Sequence, residues 1–306
     1  MLEIHINPTS LENIKELCEQ YGITPRRERG QNFLIDPKVL GDVVDAAALS
    51  NTDTVLEIGP GFGVLTEQLS PRAKEVIAVE LDQKLVSALQ KKFCDQKNVT
   101  IIQDDILAWL ENKYFEISKS RNVKVVANIP YQITSRLLRI FLERPDRPSL
   151  LVLMVQKEVA ERIVALPGAM SMLSVMVQYY GVPEIVRVVP RSSFWPEPAV
   201  DSAIVRIKPH PRPLLSGEGA ISFSSQEKGP WRAELAQAQG GMRFFRIVKM
   251  GFASRRKQLQ NNLAAGLHLP KEEVQTVLER VGFDQKVRAQ ELSIDDWKKV
   301  IHGFGV

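Results

Sequence analysis

The stretch Val55-Leu56-Glu57-Ile58-Gly59-Pro60-Gly61-Phe62-Gly63-Val64-Leu65-Thr66 decides the fold that this sequence predicts. Residues 55–58 are mostly apolar, which is typical of a buried strand, and a helix is expected to begin at Val64. Glycine stands at every second position between them, where the missing Cβ lets a ligand approach the backbone. A helix that opens after such a loop points free N–H groups back at that ligand. The pattern therefore predicts a nucleotide-type site after the first strand of an α/β sheet.

The spacing of the glycines narrows the kind of ligand. A dinucleotide fingerprint, G-x-G-x-x-G, would need a third glycine at Val64 or Thr66, and neither position has one. The sequence instead reads G-x-G-x-G, with the acid Glu57 two residues ahead. That arrangement resembles the motif of methyltransferases that use S-adenosylmethionine. A tight strand-to-helix turn without a ligand is the alternative interpretation.

Acidic residues follow the next two predicted strands. Glu80 ends the apolar run 76–79, about 20 residues after the first glycine, where a carboxylate can accept hydrogen bonds from both hydroxyls of a ribose. Asp104 and Asp105 follow the run 99–102, where an acid can accept from the exocyclic amine of adenine. Each acid alone is equally typical of a solvated loop or a helix cap. Acids at three successive strands, Glu57 included, favour a ligand site.

The remaining apolar runs predict the fold class. Four further strands are expected, at 124–127, 150–155, 185–189 and 203–207. Strands alternate with helical patterns, so we expect an α/β, Rossmann-like fold with a mostly parallel seven-stranded sheet. The last two strands are too close in sequence for a helical crossover, which predicts an antiparallel pair.

Composition limits the classes of function. No stretch approaches the roughly 20 apolar residues of a membrane span, and the N-terminus lacks the basic and apolar regions of a signal peptide. Two separated cysteines, Cys18 and Cys94, indicate reduced thiols in a cytoplasmic protein. The four histidines show no metal-ligand spacing, so we expect no metal.

The C-terminal part differs from the rest in composition and charge. We predict a catalytic domain over 1–208, a flexible linker or insertion rich in Pro, Gly, Ser and Gln over 209–241, and a helical domain over 242–306. The last region holds twelve Lys and Arg against seven Asp and Glu, a net +5 within the total of +4. A basic helical domain suggests a polyanionic partner, although charge alone is equally typical of a solvated helix surface. Helices are predicted over 244–263, over 271–281 and after Ser293.

Several motifs in order carry a more specific resemblance. At Asn128-Ile129-Pro130-Tyr131 the chain resembles amino-methyltransferases that act on N6 of adenine. The run Gln31-Asn32-Phe33-Leu34 and the run Phe194-x-Pro196-x-Pro198-x-Val200-x-Ser202 narrow this to the ribosomal RNA adenine N6,N6-dimethyltransferases. The stretch 252–263 is similar to the branch that modifies small-subunit (16S) rRNA and is responsible for kasugamycin sensitivity. The resemblance covers roughly 20–210 and 242–306.

The resemblance implies roles for named residues. Those acting on the flipped adenine would be Asn128, Pro130, Tyr131 and Phe194. Those binding S-adenosylmethionine would be Asn32, Leu34, Gly59, Gly61, Gly63, Glu80, Asp105 and Asn128. Two basic clusters would contact RNA: Arg26, Arg27 and Arg29, and Arg255, Arg256 and Lys257. The implied partner is 16S rRNA within the small ribosomal subunit, with a role in subunit biogenesis, and we expect a monomer.

The chain departs from the family pattern at two points. Ile129 stands where leucine is frequent, an apolar change of little consequence. Asp104-Asp105 stands where Gly-Asp is frequent, which leaves both acids as candidates for the adenine contact; the alignment of the following residues favours Asp105. Three alternative functions are a large-subunit methyltransferase of the macrolide-resistance type, a ribosome-assembly or nucleic-acid-binding factor with secondary catalysis, and an NAD-linked oxidoreductase. The glycine spacing disfavours the last.

Overall fold

The computed structural model describes residues 10–25, 31–118, 122–211 and 240–305. The chain forms two compact units, the first made of 1–161 and 182–209 and the second of 162–181 and 210–306. The end of the first unit lies close to the predicted boundary at 208. Residues 162–181, however, group with the C-terminal helices and not with the predicted catalytic domain. Most of the predicted linker, 212–239, lies outside the described residues.

In the part of the chain that the structure describes, the first unit is built on nine strands. They are β1 Phe33–Leu34, β2 Thr54–Ile58, β3 Glu75–Glu80, β4 Val99–Gln103, β5 Val123–Asn128, β6 Leu150–Gln156, β7 Gly181–Val189, β8 Phe194–Trp195 and β9 Ser202–Pro209. Seven form one sheet in the order β4-β3-β2-β5-β6-β9-β7, and β1 pairs with β8 in a separate two-stranded sheet. The pairs from β4 through β6 are parallel and β6–β9 is antiparallel. This confirms the predicted mostly parallel seven-stranded sheet.

Helices connect the strands of this unit. They are α1 Leu11–Gln20, α2 Pro37–Ala46, α3 Val64–Leu69, α4 Gln83–Lys92, α5 Ile106–Asn112, α6 Tyr114–Ser118, α7 Thr134–Glu143 and α8 Lys157–Ile163, the last of which crosses into the second unit. All five residues of β2 are buried, as a parallel strand covered on both faces requires. Strand order reverses between β2 and β5, and a sheet of this kind opens a crevice outside the carboxyl ends of its strands at that point.

The two-stranded sheet has no counterpart in the sequence prediction. Phe33 lies opposite Trp195, and Leu34 lies opposite Phe194, in antiparallel register. Two-residue strands leave no periodicity to detect, so local pattern could not indicate this pairing. It brings together two motifs that are about 160 residues apart in the sequence.

The second unit contains five full helices among the residues that the structure describes. They are α9 Met172–Tyr180, α10 Gly240–Gly251, α11 Leu259–Leu267, α12 Lys271–Arg280 and α13 Ile294–Gly303. The ring of Tyr179 stacks on Phe244 with centroids 4.3 Å apart, which ties α9 to α10. The side chain of Ser293 caps α13, as predicted, by accepting from the Asp296 N–H at 3.1 Å. Among the described residues, every helix is too short or too polar to cross a lipid bilayer.

The predicted single helix over 244–263 is wrong. Helix α10 ends at Gly251 and α11 begins at Leu259, with a turn between them. The buried amide of Asn262 donates to the carbonyl oxygens of Gly251 at 2.6 Å and Ser254 at 2.9 Å. A side-chain hydrogen bond from the following helix thus satisfies carbonyl groups at the end of α10 and just after it. The periodicity of apolar residues does not predict such a bond.

Candidate functional site

The glycine loop adopts the backbone that its sequence predicts. Gly59, Gly61 and Gly63 have φ values of +65°, +59° and +74°, which side-chain-bearing residues rarely adopt. The Gly61 N–H donates to Glu80 Oε2 at 3.2 Å. A Cβ on Gly63 would lie 2.6 Å from the ring of Phe93, so packing against α4 requires glycine there. Gly59 and Gly61 line the cleft described below, and Gly63 does not.

Glu80 is held in place at the end of β3. One carboxylate oxygen accepts from the backbone N–H groups of Leu81 at 2.9 Å and Asp82 at 3.0 Å, and the other accepts from Gly61. Burial raises the pKa of this carboxyl, while the three N–H groups oppose that rise. The three bonds fix the carboxylate beside the loop, where two hydroxyls of a sugar could approach it.

A cleft of about 290 Å³ opens beside these residues. This volume is close to the lower end of the roughly 300–1,000 Å³ typical of small-molecule sites. Lining residues from the predicted set are Asn32, Gly59, Gly61, Glu80, Asp105, Asn128 and Pro130. A smaller cavity of about 60 Å³ shares Asn32, Gly59, Gly61 and Asn128 with it and adds Leu34 and Glu57. The structure thus brings together most of the residues that the sequence predicts for the cofactor.

Both candidate acids after β4 line the cleft. Asp105 caps α5, since its Oδ1 accepts from the Leu107 N–H at 2.7 Å. Asp104 Oδ1 accepts from the Asp105 N–H at 2.8 Å. Each carboxylate therefore has one oxygen engaged by backbone and a second that can accept from a ligand.

The end of β5 and the turn after it bring Asn128 and Pro130 into the lining of the cleft, and Asn128 also lines the smaller cavity. The Asn128 Nδ2 donates to the Asn32 carbonyl oxygen at 3.2 Å. The Pro130 carbonyl accepts from the Ile133 N–H at 3.1 Å, and its second lone pair remains for another donor. Two acceptors, Asn128 Oδ1 and Pro130 O, therefore come from one short turn at the cleft.

The two predicted stacking rings differ in their exposure. Tyr131 is half-buried, and its hydroxyl lies 2.8 Å from the Ser202 Oγ; burial raises the pKa of Tyr131, so the phenol stays neutral. Phe194 is only 3% exposed and packs in the core cluster with Leu34 and Val39. Neither ring is part of the lining of the two cavities, and stacking of Phe194 on a base would require its ring to leave that core.

Glu57 is the buried acid of the loop motif. It is 1% exposed and accepts from the Thr66 hydroxyl at 2.6 Å. Burial raises its pKa to about 8. At neutral pH this side chain therefore favours its neutral form, in contrast to a solvated glutamate.

Sequence reasoning missed the apolar part of the cleft. Leu81 is 57% exposed immediately after Glu80, and Ile106 and Ile133 also line the cleft. The faces of a nucleotide base favour such apolar contacts. An apolar residue directly after the strand-end acid was the signal that could have indicated this surface.

Only one of the two basic clusters predicted to contact RNA lies within the described residues. Arg255, Arg256 and Lys257 are exposed in the turn between α10 and α11, and not in a helix as predicted. Arg26, Arg27 and Arg29 lie outside the described residues. Among the residues that the structure describes, no group of His, Cys, Asp and Glu side chains is arranged to hold a metal ion.

These features together define a class of protein. A mostly parallel seven-stranded sheet, a positive-φ glycine loop and acids at the ends of two neighbouring strands form a Rossmann-like nucleotide site. The Asn128-Ile129-Pro130-Tyr131 segment brings Asn128 and Pro130 into the lining of the same cleft.

Comparisons with known proteins identify the family. The profile described as "Ribosomal RNA adenine dimethylase" matches residues 23–225. A "Ribosomal RNA small subunit methyltransferase A" from Dehalococcoides mccartyi is 43% identical over 291 residues, covering 95% of this chain and 92% of that protein. A protein of the same description from Bacillus thuringiensis is 39% identical, covering 92% of each chain. The chain belongs to the ribosomal RNA adenine dimethylase family and is an rRNA methyltransferase that uses S-adenosylmethionine.

Two solved structures support the fold assignment. A dimethyladenosine transferase from Plasmodium falciparum superposes with a TM-score of 0.70 at 26% identity, covering 89% of this chain and 97% of that one. The 23S rRNA methyltransferase ErmE superposes with a TM-score of 0.67 at 27% identity, covering 89% and 99%.

Proposed function

We propose that this protein dimethylates N6 of two adjacent adenosines in a 3′-terminal hairpin of 16S rRNA within the small ribosomal subunit, and so contributes to subunit biogenesis. One observation carries the proposal: Asn128 Oδ1 and Pro130 O, two acceptors from one turn, stand at the cleft that also holds the glycine loop and Glu80. An adenine amine has two hydrogens, which this pair can accept.

The acceptor pair would change the reactivity of the amine. The N6 lone pair of adenine is delocalised into the ring, so the amine is a poor nucleophile. Hydrogen bonds from N6 to Asn128 Oδ1 and Pro130 O favour a pyramidal nitrogen whose lone pair points away from the ring. Bound S-adenosylmethionine supplies an electrophilic methyl group at that position. Holding the nitrogen in line supplies much of the acceleration by proximity.

The protein needs no strong base for this chemistry, because the N6 proton becomes acidic once the nitrogen is alkylated. Tyr131 stacks on the flipped base, and its neutral phenol is held by Ser202. After one transfer a single N6 hydrogen remains, so the second transfer needs only one of the two acceptors. Phe194 serves the opposite face only if its ring turns out of the core.

The cleft fits the proposed cofactor contacts. Glu80 accepts from the ribose hydroxyls, and Asp105 accepts from the adenine amine while Leu81 and Ile106 border the ring. Asn32 and Leu34 border the methionine end, where the smaller cavity lies. The basic turn 255–257 binds phosphates, and the protein acts as a cytoplasmic monomer.

The large-subunit alternative has one observation in its favour, the structural likeness to the 23S rRNA methyltransferase ErmE at 27% identity. Sequence relatives of 38–43% identity over most of the chain, all described as small-subunit enzymes, favour the 16S substrate. The intact Asn128-Pro130-Tyr131 set favours catalysis over a purely assembly-related role. Membership of a methyltransferase family removes the NAD-linked alternative.

The test is direct product analysis. Purified protein is incubated with S-adenosylmethionine and small subunits that lack adenine dimethylation, and the digested RNA is examined by mass spectrometry. We expect dimethyladenosine in the hairpin, lost with Asn128→Ala and retained with Asn112→Ala, an exposed asparagine at the end of α5. Product only on large-subunit rRNA would replace the proposal with the resistance-type activity. Tight subunit binding with no product on either substrate would favour the assembly role.

A further inference from the structure

The turn that carries Asn128 is met by a short segment, Gln31–Asp36, which we call the strap. The Asn32 backbone carbonyl accepts from the Asn128 side chain at 3.2 Å. A carbonyl oxygen can only accept, so the atom of Asn128 that faces it must be the NH₂ group. Its Oδ1 is then the acceptor that remains for a substrate amine.

The strap is fixed by contacts on both sides. Its residues Phe33 and Leu34 pair with Trp195 and Phe194 in the two-stranded sheet. The Ile35 N–H donates to the Ser193 carbonyl at 2.9 Å, and the Ser193 hydroxyl donates to Asp36 Oδ2 at 3.0 Å.

Ring contacts hold the other side of the strap. The Phe33 and Phe62 rings lie 4.8 Å apart, and a Cβ on Gly61 would lie 3.2 Å from the Phe33 ring. The position of the Asn32 carbonyl is therefore set by backbone pairing and ring packing on both sides of the strap.

We propose that the strap is a positioning element for methyl transfer: the Asn32 carbonyl fixes the amide orientation of Asn128, and it admits asparagine but rejects aspartate at that position. This inference rests on the proposed role of Asn128 as the N6 acceptor. It assigns to the strap a function in selecting the catalytic side chain, in addition to bordering the cofactor.

The rejection of aspartate follows from hydrogen-bond chemistry. Both oxygens of a carboxylate only accept, so N128D would place two acceptors 3.2 Å apart at the Asn32 carbonyl. Protonation of one oxygen creates a donor and restores the contact. The facing carbonyl and the partial burial of this site both raise the pKa of such a carboxyl. The titratable groups that line the same two cavities are all acidic, and each one that is ionised raises this pKa further: Glu57, Glu80, Asp82, Asp104 and Asp105.

The first experiment compares wild type, N128D and N128A between pH 6 and pH 9 at saturating S-adenosylmethionine and subunit. The protonated fraction of a carboxyl rises about tenfold for each pH unit of acidification above its pKa. We expect the ratio of the N128D kcat to the wild-type kcat to be at least about tenfold higher at pH 6 than at pH 8.5. N128A should stay inactive throughout.

The outcomes separate the inference from the proposed function. Substantial activity of N128A would overturn the acceptor role of Asn128 itself. A second outcome is that N128A is inactive while the ratio of the N128D kcat to the wild-type kcat has the same value, large or small, at every pH. This outcome would overturn the strap inference and leave the proposed function standing.

A second experiment loosens the strap outside the cleft. S193A removes the bond to Asp36. The control, S149A, removes a serine bond of the same length outside the strap, to the Val123 carbonyl at 3.0 Å. We expect S193A to lower kcat several-fold and to flatten the pH dependence of N128D when the two are combined, because a mobile carbonyl discriminates less. S149A should change neither quantity. Equal behaviour of the two serine variants, in proteins with equal melting temperatures, would overturn the inference.

Discussion

Two glutamates of the site are both buried near the glycine loop but differ in the partners that hold them. Glu80 accepts three backbone N–H bonds from three residues, whereas among the described residues Thr66 alone holds Glu57, through its hydroxyl at 2.6 Å and its backbone N–H. Backbone donors stabilise a carboxylate, and burial with little compensation stabilises the neutral acid. The sequence could place both acids near strand ends, but their protonation also depends on how deeply the fold buries them, which no motif encodes.

Glu57 predicts a pH dependence of stability. Its pKa is about 8 in the folded protein, above the ordinary 4.5, so the folded state binds the proton more tightly than the unfolded state. The stability that this group contributes is complete below pH 4.5 and is lost as the pH rises to about 8. Glu57→Gln keeps an acceptor for Thr66 and removes the titration.

We therefore expect the melting temperature of Glu57→Gln, relative to wild type, to be higher at pH 8.5 than at pH 5. The gain should be several degrees, since about 1 kcal/mol corresponds to roughly 2–4 °C in a protein of this size. Thermal unfolding followed by circular dichroism at both pH values measures it. A difference between the two proteins that is equal at both pH values would contradict the raised pKa.

Substitution of Glu80 is predicted to weaken the binding of the cofactor. Glu80→Gln keeps one acceptor oxygen but replaces the other by an NH₂ group that faces backbone donors. Losing one acceptor and leaving donors unpaired costs about 1–3 kcal/mol, so we expect S-adenosylmethionine to bind roughly 10- to 100-fold more weakly by calorimetry. Glu75→Gln, at the opposite end of β3, is the control and should bind normally. An unchanged Kd for Glu80→Gln would exclude the ribose contact.

At the scale of elements, prediction from sequence succeeded where burial was periodic. The seven long strands and the start of α13 after Ser293 followed from local pattern and capping chemistry. The β1–β8 pair and the break after Gly251 depend on contacts between distant residues, so local reasoning missed them.

The turn after Gly251 should depend on one buried side-chain amide, that of Asn262. Asn262→Ala leaves the carbonyls of Gly251 and Ser254 without their side-chain donor. Leaving buried acceptors unpaired costs about 1–3 kcal/mol. Amide hydrogen exchange across 251–258 should become faster, whereas Asn261→Ala on the neighbouring, partly exposed position should leave it unchanged. Equal protection in both variants would mean that packing alone holds the turn.

At the scale of the whole molecule, the sequence predicted a catalytic domain over 1–208 and a basic helical domain over 242–306. The structure adds that 162–181 belong with the C-terminal helices. Sequence could not show this, because α9 lies between strands of the sheet along the chain and packs by aromatic contacts such as Tyr179 on Phe244. Charge and composition predict a region's partner class but not which distant helix completes its core.

The basic turn predicts a salt-dependent loss of subunit binding. Arg255, Arg256 and Lys257 are exposed, and among the described residues no carboxylate forms an ion pair with them. Replacing all three by alanine should weaken binding to small subunits and lower the slope of log K against log salt by up to about 0.7–0.9 per lost phosphate contact.

The control for this prediction uses cations that are already paired. Lys298 and Lys299 lie 2.6 Å and 3.2 Å from the carboxylates of Asp295 and Asp296. Their replacement by alanine should change the slope little. Filter binding across a range of salt concentrations measures both variants, and an equal slope for the two would show that net charge, and not this turn, governs binding.

Gly63 has an implication for how sequences of this kind can diverge. Its missing Cβ leaves room for the Phe93 ring and the Leu89 side chain, at 2.6 Å and 2.8 Å from where that atom would stand. A larger residue at 63 therefore needs a smaller one at 93 or 89, in addition to tolerating a left-handed backbone. The third glycine of the loop and the residues at the end of α4 should consequently change together over evolutionary time. Selection is expected to remove intermediates that carry only one of these changes.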